Sequence, residues 1–161
     1  MGLETSVTKL VAVSSFVASS FFVASSFCSG ANAKDLNMLV RLLVPAYIAH
    51  NFAAMCNAEK PTPDQQNRIK TISAFVDHVK IEVTTGLPEQ EAEEVRISAA
   101  DTARNVARNE MLFLGAQGPY VPTDTLIRWC ERSAETAIAE ILKTHEKRHE
   151  EFDRLTDEAK K

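Results

Sequence analysis

From Asp35 onward the apolar residues recur every three or four positions, and prolines and glycines cut that rhythm into four stretches. Such a period lines one face of a helix, whereas strands would show sustained alternation. The spacing therefore predicts an all-α chain, and four helices with short connections favour an antiparallel up-down four-helix bundle. The first stretch, Asp35 to Ala58, places Leu36, Leu39, Val40, Leu43, Tyr47, Ile48, Phe52 and Met55 on helical spacing. Pro45 lies inside it and lacks an amide donor, so this helix is expected to kink or split near Leu43 and Val44.

The second stretch opens on Thr62-Pro63-Asp64-Gln65, a capping box with proline at the first helical position, and Ile69, Ile72, Val76, Val79 and Val83 follow. Gly86 supplies the left-handed residue that ends it. Pro88-Glu89-Gln90-Glu91 opens the third, with carboxylates where the helix dipole favours them. Its body carries Ala99, Ala100, Ala103 and Ala107, small enough for two helix axes to approach closely, and Gly115 closes it. Thr123 or Asp124 caps the last stretch, read as one helix to about Leu155 with Leu126, Trp129, Cys130, Ala134, Ala137, Ile138, Ile141 and Leu142 on its apolar side. Beyond His145 the charges alternate in sign, and residues 156–161 are expected to fray into solvent.

Ahead of these helices stands a segment of another kind. Leu10 to Phe27 contains no charged residue, Lys9 precedes it, and Ala31-Asn32-Ala33 follows as an A-x-A motif. These are the parts of a secretory signal, so residues 1–33 are read as a cleavable signal peptide cut after Ala33, and residues 34–161 as a single helical domain. The apolar run is short for a membrane anchor and diluted by serine pairs. Phe27 is an unsuitable neighbour for lipid attachment at Cys28, and the Met1-Gly2 myristoylation match does not fit an exported chain. The expected location is the bacterial periplasm or the extracellular space.

Cysteine usage agrees with export. Cleavage removes Cys28 and leaves Cys56 and Cys130, an even pair in an oxidising compartment. Cys56 falls near the end of the first helix and Cys130 near the start of the fourth, ends that share one pole of an antiparallel bundle. A Cys56–Cys130 disulfide joining the two helices is therefore expected.

Charge narrows the partners. The signal holds one Lys and one Glu, so the remainder keeps the net charge of −4 of the whole chain. A mildly acidic chain without a basic cluster argues against nucleic acid and against an anionic membrane surface. No second apolar run is read as long enough to span a bilayer, so the mature form is not expected to be membrane-embedded.

The motif closest to known chemistry is His145-Glu146-Lys147-Arg148-His149, which fits H-E-x-x-H. On one helix the two imidazoles share a face and can share zinc, with the glutamate as general base. Three features count against a hydrolase. Lys147 and Arg148 bring positive charge to the ion, little chain remains to supply a third ligand, and no sheet or second lobe forms a substrate cleft. Metal binding by His145, His149 and Glu146 or Glu150 is the weaker alternative to a solvated helix end supported by i, i+4 charge pairs. His50 and His78 are isolated and read as boundary histidines, with a bundle-core ligand role as the other option. Covalent c-type haem is excluded because C-x-x-C-H is absent, no phosphate-binding glycine loop occurs, and no cofactor is expected.

The last candidate is a surface. Phe113, Tyr120, Leu126 and Trp129 gather around the loop between the third and fourth helices, where they either cap the core or present a docking patch. The functional expectation is a non-enzymatic accessory or binding protein that contacts a protein or a small apolar ligand. A metal-binding role through His145 and His149 is the alternative, and a zinc hydrolase the least favoured.

Overall fold

The computed structural model describes residues 34–57, 62–116 and 123–161. Residues 1–33, where the signal peptide and its cleavage point are expected, lie outside the described residues, as does Tyr120. The elements are α1 (Leu36–Met55), α2 (Pro63–Thr84), α3 (Glu89–Phe113), α4 (Thr123–Trp129), a π-helical turn (Cys130–Ala134), α5 (Glu135–Lys147) and α6 (His149–Ala159). Among the described residues there is no strand.

α1 is the central element. It packs against α2, α3, the π turn, α5 and α6, whereas α2 and α3 touch each other far less. Leu39, Leu43, Val44, Ile48 and Ala49 are buried around much of its circumference. This is why α1 meets the length and composition of a membrane-crossing helix, with a mean hydropathy of 1.3, although half of that window is buried inside the protein. The expectation that no second run approaches spanning length is corrected here: a helix covered on several sides is apolar nearly all round. The expected split at Pro45 is also absent, and α1 runs unbroken through it. Proline deprives the carbonyl of Arg41 of its usual donor, but the packing of both halves on the same neighbours holds the helix together.

The ends of α2 and α3 follow the local chemistry. Thr62 Oγ1 accepts from the Gln65 amide, and the Gln65 side chain accepts from the Thr62 amide at 2.9 Å. Gly86 and Gly115 both have φ of +83° and terminate their helices in the left-handed region. Ala92, Val95, Ala99, Ala103 and Ala107 form the buried stripe of α3 and let it lie close against α1.

The last stretch departs most from expectation. The Cys130–Ala134 turn widens to π geometry, so the buried Trp129 and Ala134, five residues apart, both face inward. Trp129 stacks edge-on against Phe52 of α1, with ring centroids 5.1 Å apart. The helix breaks again at Arg148, whose φ of −115° and ψ of 23° are not helical. Its amide still donates to Thr144 O and its carbonyl accepts from Phe152 N, so the chain bends without a loop. α6 then returns to the core. Phe152, Thr156 and Ala159 are buried, the Asp35 amide donates to Ala159 O at 2.8 Å, and Lys160 Nζ donates to Glu82 O. The expected fraying of 156–161 is corrected by this docking: the charges of α6 occupy one face only, and the other is apolar.

Cys56 and Cys130 form a disulfide across a sequence separation of 74, with Cα atoms 5.6 Å apart. It joins the end of α1 to the first residue of the π turn.

Candidate metal centre

Where α5 bends into α6, the chain passes over the C-terminal half of α2. His78 and Glu82 lie one turn apart on α2, beside the buried Val79 and Val83. His145 comes from the last turn of α5, and His149 and Asp153 from the first turns of α6. His145 is wedged between Phe75 and Phe152, with ring centroids 5.2 and 4.8 Å away. Those edge-on contacts fix the plane of its imidazole.

Glu82 is the hub. Its Oε1 lies 3.2 Å from His78 Nε2 and 3.9 Å from His149 Nδ1, and its Oε2 lies 3.7 Å from His145 Nε2. The other ring nitrogen of His149, Nε2, lies 3.8 Å from Asp153 Oδ2. Among the described residues, Glu82 Oε2 and Thr156 Oγ1 are the buried side-chain polar atoms with no hydrogen-bond partner. Burial pushes the His145 imidazole below its ordinary value, Glu82 opposes that shift, and His149 and His78 add to it. The neutral imidazole so favoured is the form that ligates a metal.

The spacing suits a small cation. A tetrahedral zinc ion with bonds of about 2.0–2.1 Å holds neighbouring ligand atoms roughly 3.3 Å apart. Donor atoms of His78, Glu82 and His145 lie within 4.8 Å of one another, and so do those of Glu82, His149 and Asp153. Either set is therefore a candidate to hold one ion.

The two histidines of the H-E-x-x-H motif thus meet, with ring centroids 5.7 Å apart, but across the Arg148 break and not along one straight helix. Glu146 is exposed and outside both donor sets. The carboxylate at the centre comes instead from α2, where the i, i+4 pair His78 and Glu82 beside an apolar stripe was the available signal. Sequence reasoning left His78 isolated and did not single out Glu82. His50 is exposed on α1 and takes no part.

The surface candidates separate. Phe113 is 71 % exposed, Leu126 is packed against the core and Trp129 is buried. Near Phe113, the ends of α1 and α3 flank an open groove of about 520 Å³ that includes Met55, Arg108, Met111 and Leu112.

Comparison of the chain with protein-family models, characterised proteins and solved structures finds no match. A functional reading therefore rests on the geometry.

Proposed function

We propose that this is an exported, disulfide-linked helical protein that binds a divalent first-row metal ion, with zinc the best fit, through His78, Glu82 and His145. The observation that carries this reading is Glu82. Its Oε2 is buried without a hydrogen-bond partner, and three imidazoles surround the carboxylate at 3.2–3.9 Å. A carboxylate oxygen buried without a partner is costly, and a cation shared with the imidazoles satisfies it. Imidazole and carboxylate donors suit zinc, with copper and nickel as competitors. Export rests on the residue pattern of 1–33, and the Cys56–Cys130 bridge supports an oxidising compartment. We read the helices as an up-down four-helix frame in which α4 to α6 together make the fourth member. The juxtaposition of Asp35 with Ala159, and of Lys34 with Glu91, supports that order.

The reading is of binding and not hydrolysis. Exposed Glu146 has no place as a general base over this donor set. A second reading, docking of a protein or apolar ligand, draws on Phe113 and Leu112, which are 71 % and 60 % exposed beside the groove. It involves the opposite pole and is compatible with the first.

Equilibrium dialysis against limiting zinc tests the metal reading. The disulfide-linked protein is expected to retain one ion per chain, and Glu82→Gln and His78→Ala to lose most of it. Retention equal in all three proteins, or none in any, would overturn the reading.

A further inference from the structure

Resting on the metal reading above, we propose that the ion is held by a closed set of four ligands, His78, Glu82, His145 and His149. Asp153 then acts as the positioning residue for His149. The ion on this assignment is structural, fastening α6 to α2 across the bend at Arg148.

Three observations converge on His149. Its Nδ1 lies 3.9 Å from Glu82 Oε1, the same oxygen that His78 approaches, so the two imidazoles converge on one carboxylate oxygen. Its remaining nitrogen, Nε2, lies 3.8 Å from the Asp153 carboxylate one helical turn on. A metal-bound histidine usually donates its second ring N–H to such a carboxylate, which fixes both tautomer and ring orientation. Finally, the break at Arg148 sits between His145 and His149, and reorients α6 so that Phe152 reaches the His145 ring.

A zinc site with three protein ligands keeps a position open for water, whereas four ligands close it and make the ion structural. The elements joined explain why that matters here. α2 and α6 meet through few contacts, among them the Lys160 bond to the Glu82 carbonyl. The disulfide holds only the far pole, where α1 meets the π turn. Two ligands from α2, one from α5 and one from α6 would tie the near pole.

Cobalt(II) substitution combined with tryptic digestion tests this in the full disulfide-linked chain. Wild type with one equivalent of cobalt is expected to show the intense visible bands of tetrahedral coordination. With zinc it should resist cleavage after Lys147 and Arg148. His149→Ala is expected to lose the tetrahedral spectrum and the protection, with helicity and Trp129 fluorescence unchanged. Asp153→Asn is expected to keep the spectrum but weaken zinc about ten- to a hundredfold. Asp153→Glu should recover part of that affinity, which a merely structural acid would not. If wild type binds zinc while His149→Ala matches it in affinity, spectrum and protection, the site has three ligands and the four-ligand assignment is wrong. If wild type itself binds no ion, the metal reading fails and takes this inference with it.

Discussion

Two buried oxygens, Glu82 Oε2 and Thr156 Oγ1, lack hydrogen-bond partners among the described residues, and they differ in what surrounds them. Glu82 faces imidazoles that can share an ion. Thr156 belongs to the buried face of α6, with Phe152 and Ala159, and is 5 % exposed. A buried hydroxyl without a partner costs about 1–3 kcal/mol, whereas an apolar group of the same shape costs nothing comparable. Thr156→Val is therefore expected to raise stability by about 1 kcal/mol in urea denaturation, and a loss of similar size would show that the hydroxyl is satisfied after all. The contrast explains why Glu82 escaped a reading of the sequence. Within α2 its carboxylate is marked only by His78 one turn earlier, a pairing common on solvated helix faces. Its role emerges only when α5 and α6 arrive from far along the chain.

Elements with local causes were legible from the residues. The Thr62–Gln65 box, the terminators Gly86 and Gly115, and the alanine stripe of α3 all depend on neighbours within a turn or two. The departures have non-local causes. Pro45 is carried through α1 by packing on both sides, and the π turn at Cys130–Ala134 and the break at Arg148 re-phase the last stretch against α1 and α2. Periodicity alone cannot anticipate an inserted residue that rotates the remainder of a helix. The alanine stripe gives this scale its prediction. Ala103 is fully buried on the stripe of α3, the helix that packs most against α1. Ala103→Leu is expected to destabilise the protein by about 1–3 kcal/mol through overpacking, measured by thermal or urea unfolding. The same change at exposed Arg104, as Arg104→Leu, should stay within about 0.5 kcal/mol.

Across the whole molecule, the disulfide joins the end of α1 to the π turn, and the proposed metal centre would join α2 to α5 and α6. The bridge closes a separation of 74 residues, and a cross-link that restricts the unfolded chain over such a loop contributes about 4 kcal/mol through chain entropy. Reduction, or paired Cys56→Ser and Cys130→Ser changes, is expected to cost about 2–4 kcal/mol while leaving the helices formed. Zinc binding should survive that loss, because the donors lie at the other pole and come from α2, α5 and α6. Removal of the ion by a chelator should act in the complementary way, loosening α6 from α2 and leaving the Trp129–Phe52 contact intact.

The most direct test of the metal centre is a crystal of the full disulfide-linked chain grown with one equivalent of zinc, with diffraction recorded on both sides of the zinc absorption edge. The anomalous difference map is expected to show one strong peak between the Glu82 carboxylate and the rings of His78, His145 and His149. A map without a peak at Glu82, whether featureless or with zinc only at other surface histidines, would contradict a metal-binding role for this cluster.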